Sequence, residues 1–307
     1  MNWIIVAIIA YFLIAFGVVI DKFLLSSKRV SHPAVYAFYS GLLSFFTVFI
    51  FAPFGFHWMG LTSTIMMLIF GLVFFAGMIS IFYAIKKGEA SRVVPLVGVI
   101  IPLISLLIEG VILRQPFSAQ EFLGIIILIF GGFLISFDLP LELGKKKFFR
   151  GFFQAILAGF FLAIAYSGAS YFYKQDSFSN VFSWTRIGVA LGAILIFLVP
   201  VWRKIILKSI FGVKKEKAKN LRTINLFFLN KILNGVGSVL VNYAIAIGSV
   251  AVVNALISVE YVFVFIIVAF FHAIFPKIFA ERNKLSDILQ KVMAIVVVAV
   301  GIVLITI

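Results

Sequence analysis

The sequence predicts an all-α integral membrane protein of ten transmembrane helices, arranged as two inverted five-helix repeats. Three observations carry this reading: an extreme composition, the spacing of the apolar runs, and the one-sided distribution of positive charge. Of 307 residues, 64% are hydrophobic and 12% are charged, whereas soluble domains are about half apolar and about a quarter charged. So little polar surface cannot cover a globule in water, and lipid must be the solvent for most of the chain. The runs are continuously apolar and do not alternate, which indicates helices and not a barrel.

A bilayer core takes about 20 consecutive apolar residues per helix, and ten stretches reach that length. They are 3–20, 33–52, 62–85, 91–112, 119–137, 150–173, 179–200, 224–247, 250–273 and 288–306. The first starts at Met1-Asn2-Trp3 with no basic lead-in and no small-residue cleavage site, so it is expected to be a retained span and not a signal peptide. Tyr36, Ser40, Ser44 and Thr47 give the second span a mildly polar face. In the fourth, Ser91, Pro95, Gly98, Pro102, Ser105 and Glu109 recur in steps of four and three. Its two prolines free backbone carbonyls near mid-membrane, as in the discontinuous helices of transporters. The sixth carries Tyr166, Ser170 and Tyr173. The only sizeable polar segments are the linker at Lys145-Lys146-Lys147 and the stretch from Arg203 to Arg222, which leaves no soluble domain.

The ten spans divide into halves, 1–140 and 141–307. Tyr83-Ala84-Ile85 with Gly88 recurs 160 residues later as Tyr243-Ala244-Ile245 with Gly248, each between the third and fourth spans of its half. Gly132-Phe133-Leu134-Ile135 resembles Gly301-Ile302-Val303-Leu304-Ile305 near the end of each half. Five spans per copy force the copies into opposite membrane orientations, the inverted-repeat plan of many secondary transporters.

The loops that follow odd-numbered spans hold 22 Lys and Arg; the even-numbered loops hold two, Arg114 and Lys174. These loops are short enough for the positive-inside rule, so the odd loops are expected in the cytoplasm and both termini outside. The net charge of +15 is then a topology signal, with an anionic-lipid contact around Lys214 to Lys219 as a by-product, and no nucleic-acid partner is needed. The absence of Cys excludes thiol chemistry and disulfides. Three dispersed His lack metal-ligand spacing, and no cofactor is implied.

Ionisable groups at membrane depth are expensive and mark functional sites; here they are Arg186, Lys231, Glu260 and Glu109. In the eighth span Lys231, Asn234, Ser238 and Asn242 share one helix face. This stripe reads either as the lining of a wet pathway or as interhelical hydrogen-bond glue. Asn254, Ser258, Tyr261 and His272 share a face of the ninth span, with Glu260 about 120° away from Asn254. Both Arg186 and Lys231 lie within vertical reach of Glu260, which is either a proton-carrying carboxylate raised by burial or one half of a fixed ion pair. Arg186 points away from the small-residue pair Gly188 and Gly192, a packing face; its guanidinium serves either an anionic substrate group or a structural ion pair.

The run from Gly88-Glu89-Ala90-Ser91 through Pro102 to Leu113-Arg114-Gln115-Pro116-Phe117-Ser118, followed by Gly124 and Gly131-Gly132, resembles the EamA family of the drug/metabolite transporter superfamily. So does Gly248-Ser249-Val250-Ala251 with Phe279-Ala280-Glu281-Arg282 and Leu285-Ser286 in the second half. Relatives often carry Glu just before the fifth and tenth spans; Gln115 replaces the first and Glu281 matches the second. Where their ninth span usually has Pro, this chain has Glu260-Tyr261-Val262, and many relatives are drawn with cytoplasmic termini, opposite to the charge count. The resemblance implies secondary transport of a small metabolite across the cell membrane by alternating access to a central cavity. Arg186, Lys231, Asn234, Asn242, Asn254 and Tyr261 are the expected lining and Glu260 the coupling or pairing residue, with protons as a candidate coupling ion. A phosphate-binding ATPase loop is absent. The alternative is a non-transporting membrane scaffold or an intramembrane enzyme, although no cluster of acid, base or metal groups supports the latter.

Overall fold

The apolar runs fold as helices throughout the residues that the computed structural model describes, namely 3–26, 32–88, 90–114, 117–136, 150–211, 217–272 and 285–306, and no strand occurs among them. The helices are α1 (Trp3–Ser26), α2 (Pro33–Phe51), α3 (Leu61–Lys87), α4 (Ala90–Leu107), α5 (Ala119–Ser136), α6 (Phe152–Tyr173), α7 (Phe178–Leu195), α8 (Pro200–Phe211), α9 (Lys217–Ile247), α10 (Val250–Ala255), α11 (Ile257–His272) and α12 (Leu285–Thr306). Among the described residues, seven helical segments are long and apolar enough to cross a membrane: Trp3–Leu25, Pro33–Phe54, Leu61–Lys87, Phe152–Tyr173, Phe178–Leu198, Thr223–Ile247 and Val250–Val268. Three shorter apolar helices, Leu96–Ile112, Ala119–Leu134 and Val292–Leu304, accompany them. Lys28, Arg29, Glu89, Gln115, Pro116, Lys145 to Lys147, Lys214, Lys215, Lys277 and Phe279 to Lys284 lie outside the described residues.

The helices outrun the apolar runs. Helix α1 continues to Ser26, taking Asp21 and Lys22 with it, and of the polar stretch from Arg203 to Arg222 residues 203–211 belong to α8 and residues 217–222 to the start of α9. Backbone hydrogen bonds of a helix are internal, so nothing requires the helix to stop where the side chains turn polar. Pro200 opens α8 at the position where its fixed φ suits a helix and its missing N–H is not needed. Lys22 Nζ donates to the carbonyls of Ile85 at 3.1 Å and Gly88 at 2.6 Å, which places a cation on the negative end of α3.

The ninth predicted span is broken at Leu256 into α10 and α11, with no proline at the break. Tyr11 Oη of α1 donates to the Val253 carbonyl at 2.9 Å, which pairs a backbone acceptor next to the break. The other end of α10 is held by Glu109. This buried carboxylate sits in a π turn, Ile108–Ile112, and accepts from Ser249 Oγ at 3.0 Å and from the amides of Val250 at 3.2 Å and Ala251 at 2.7 Å. A negative charge at a helix N-terminus satisfies otherwise orphaned donors, so Glu109 is a cap that ties α4 to α10.

Packing is organised around α3, which lies along both α6 and α7; α1 lies along α9 and α11, α2 along α7, α4 along α6, and α5 along α12. Lipid offers no hydrophobic drive between helices, so close backbone approach decides which of them associate. Gly188 supplies it on α7: a Cβ there would stand 2.9 Å from the Cα atoms of Gly71 and Leu68 on α3. Gly192 likewise faces the Phe75 ring of α3, so the small-residue pair is a packing face.

The α2–α3 connection meets the start of α7. His57 Nε2 lies 3.0 Å from Asp176 Oδ2, Asn180 Oδ1 accepts from the His57 amide at 3.1 Å, and Trp184 Nε1 donates to the His57 carbonyl at 3.0 Å. Trp58 and Trp184 meet edge to face, an aromatic grouping of the kind that sits at a membrane–water boundary. Gly188→Leu is expected to lose about 1–3 kcal/mol through overpacking against Leu68 and Gly71, read as a lower midpoint of thermal unfolding in detergent, while the same change at Gly235, where a Cβ meets open space, shifts it far less.

Candidate functional site

A cavity of about 240 Å³ lies between α1, α2, α3, α6, α7 and α9. Its walls are mostly apolar, with Ile14 and Val18 from α1, Leu43 from α2, Phe74, Met78, Ile81 and Phe82 from α3, Leu162 from α6 and Phe182 from α7. Into this lining project Asp21, Ser40, Ser44, Thr47, Tyr166, Arg186, Lys231, Asn234 and Ser238. A mainly apolar hollow with a few convergent polar groups is the usual form of a small-molecule site.

Asp21 is the centre of the polar network. It is buried; its Oδ1 accepts from Tyr36 Oη, from Asn230 Nδ2 and from Lys231 Nζ at 3.3 Å, and its Oδ2 accepts from Asn234 Nδ2 at 3.4 Å. Asn230 Nδ2 also donates to Tyr36 Oη at 2.8 Å, and Asn234 Nδ2 donates to Asn230 Oδ1 at 2.9 Å. The Lys231 ammonium stands 4.2, 5.0 and 5.3 Å from the ring centroids of Tyr36, Phe82 and Phe227, so it is held by one carboxylate and three aromatic rings. The network joins α1, α2 and α9.

Arg186 is held differently. Its Nη2 donates to Ser238 Oγ at 2.8 Å, and its guanidinium lies 4.4 Å from the Phe182 ring and 5.1 Å from the Phe74 ring. Its Nε is buried without a hydrogen-bond partner. No carboxylate among the described residues lies within ion-pairing distance of it.

The structure brings Arg186, Lys231 and Asn234 together at the cavity and sends the other candidates elsewhere. Asn242 accepts from Tyr173 Oη at 3.2 Å and donates to the Ser238 carbonyl, one turn beyond the cavity. Asn254 donates to Ser105 Oγ of α4 at 2.7 Å, and Ser258 donates to the Leu128 carbonyl of α5 at 2.9 Å. Tyr261 packs its ring against Gly98 of α4 and Gly132 of α5, with its hydroxyl buried and unpaired. The polar face of the ninth span therefore meets α4 and α5 and does not line the cavity. Glu260 is buried and pairs with neither cation; among the described residues it has no hydrogen bond or ion pair. It lies within electrostatic reach of Tyr11, Tyr166 and Tyr261, and Tyr166 stands within reach of both Glu260 and Arg186.

Sequence reasoning missed Asp21 and Asn230. Asp21 was placed just past the end of the first span, in a loop with Lys22. Asn230 had a signal that could have found it: Asn230, Asn234, Ser238 and Asn242 form an unbroken i, i+4 series along one side of a helix.

The fold and its buried polar cavity define a multi-pass helical membrane protein. Residues 1–137 match the model of the EamA-like transporter family, so the first part of the chain is similar to that family. A crystal structure of another protein superposes with a TM-score of 0.59 at 15% sequence identity, covering 96% of this chain and 98% of that one, so the two share a fold along nearly their whole lengths. No curated protein matches the chain at a significant level.

Removing one partner of a buried ion pair typically costs about 3–5 kcal/mol, because the other charge is left uncompensated. Asp21→Asn should therefore unfold at a markedly lower temperature than the native protein in detergent. The double variant Asp21→Asn, Lys231→Met should recover part of that loss, and a strictly additive double variant would contradict the pairing.

Proposed function

We propose that the chain is a secondary active transporter that moves a small metabolite across the cytoplasmic membrane by alternating access, through the cavity between two inverted repeats, residues 1–140 and 141–307. The observation that carries this reading is a broken symmetry in the helix packing. If the repeats correspond, α1 to α5 match α6, α7, α9, the α10–α11 unit and α12 in turn. The short helix α8 is then an insertion. A two-fold axis in the membrane plane would convert the α1–α9 contact into α6–α3, and α4–α6 into α11–α1. Both members of each pair are extensive contacts. The same axis relates α3–α7 to α9–α2, and here the equivalence fails. Helix α3 lies along α7, whereas α9 meets α2 sparsely, near Tyr36 and Asn230, and the cavity fills the space between Ser44 and Thr47 on one side and Gly235 and Ser238 on the other.

Two equivalent interfaces, one closed and one parted, are the physical requirement for alternating access. In the complementary state α9 closes on α2 and α3 leaves α7. The recurring Tyr-Ala-Ile and Gly segments support the correspondence, since Tyr83–Gly88 ends α3 and Tyr243–Gly248 ends α9. The charge count supports an orientation with both termini outside, and the cluster of His57, Trp58, Asp176 and Trp184 then faces outward.

Within this reading Arg186, Lys231 and Asn234 face the substrate together with Asp21, while Asn242, Asn254 and Tyr261 hold helices. Glu260, buried and without an ion partner among the described residues, is assigned the role of proton carrier, with the proton as coupling ion. The test is proton movement in proteoliposomes on addition of fractionated metabolite pools, comparing native protein with Glu260→Gln. A metabolite-dependent proton signal that falls at least ten-fold in the variant is expected. An equal signal in both would remove Glu260 from the coupling, and metabolite-independent behaviour together with no uptake of any fraction would leave a membrane scaffold as the function.

A further inference from the structure

The two cations of the cavity are not equivalent, and the difference defines a ligand. Asp21 and Lys231 neutralise each other at 3.3 Å, and the remaining Asp21 contacts are occupied by Tyr36, Asn230 and Asn234. Arg186 is 6% exposed and has a neutral hydroxyl, two ring faces and an unpartnered Nε. The charged groups lining the cavity thus sum to one positive charge, on the only side chain whose planar fork of donors matches a carboxylate.

From this we infer that the cavity binds an organic monocarboxylate with an apolar body, its carboxylate on Arg186. The inference rests on the transport reading and specifies its substrate class. A single uncompensated charge in a low-dielectric wall is balanced by one negative charge. A phosphate dianion would leave an excess, a neutral amide would leave the guanidinium uncompensated, and an amine would be repelled. Phe74 and Phe182 flank the guanidinium, and with Leu162 and the other apolar walls they suit an apolar body, for which the cavity of about 240 Å³ has room as a ring or a branched chain. Lys231 is the weaker anchor, because its charge is already balanced by Asp21.

The experiment is binding to the purified full-length protein in detergent, followed by tryptophan fluorescence and thermal shift, with phenylacetate, indole-3-acetate and 4-methylpentanoate as probes. Phenylacetamide, 2-phenylethylamine and phenyl phosphate are the matched controls. Saturable binding of at least one carboxylate, ten-fold or more tighter than its matched control, is expected. Arg186→Gln should abolish that preference and Arg186→Lys should retain part of it, with both variants checked for a native size-exclusion profile. Ser238→Ala, which frees the Nη2 donor that the hydroxyl holds, should change the carboxylate affinity several-fold and leave that of the matched control unchanged, which keeps the test usable if the buried arginine variants do not fold. Equal binding of carboxylate and amide, tighter binding of the amine, or no binding of any carboxylate would overturn the assignment. Flux of the amine in proteoliposomes would also overturn it while leaving transport standing; carboxylate binding without flux would overturn transport and leave the ligand class standing.

Discussion

A carboxylate buried among helices in lipid is stabilised when it is hydrogen-bonded and its charge is balanced, and the surroundings of Asp21 supply both. Tyr36 from α2, and Asn230, Lys231 and Asn234 from α9, converge on one side chain of α1. None of these helices could rotate or slide by a turn without leaving a polar group unpaired. The network therefore sets the register of three helices and forms one end of the cavity. It also confines Lys231, so that the neighbouring guanidinium of Arg186 is left as the uncompensated charge.

The rest of the bundle is held by different means. Glu109 caps α10 from α4, Tyr11 of α1 binds the carbonyl beside the break at Leu256, and Gly188 lets α7 approach α3. These contacts are short-range and satisfied, so they make rigid units. The α2–α9 boundary differs because it is joined at the Asp21 network and separated by the cavity beyond it. Rigid units that meet at a sparse boundary are the structural ingredients of a shear or rocking motion.

Much of the fold was legible in the sequence because lipid imposes one strong rule: a run of about 20 apolar residues is a helix. The apolar runs are helical among the described residues, with seven helical segments long enough to cross a membrane, and the face of α7 that carries Gly188 and Gly192 packs as its spacing indicated. The site was less legible. Hydropathy ends a span where charge begins, so Asp21 was assigned to a loop although the helix runs five residues further, to Ser26. Periodicity puts residues on one face but does not say which neighbour that face meets: the stripe of α9 meets the cavity, while the similar stripe of α10 and α11 meets α4 and α5. Glu260 was expected within reach of a cation, but vertical reach does not determine rotation about the helix axis, and Lys231 turns to Asp21 instead.

The central claim is that the α2–α9 and α3–α7 boundaries exchange roles. In this Cys-free chain it is tested most directly by spin-label distances between Phe46→Cys and Val236→Cys for the first boundary, and between Ile69→Cys and Leu191→Cys for the second, all four at exposed positions. Two distance populations for each pair are predicted, shifting in opposite senses when transported solute is added. A single unchanged distance at both boundaries, or a shift in the same sense at both, would contradict the claim.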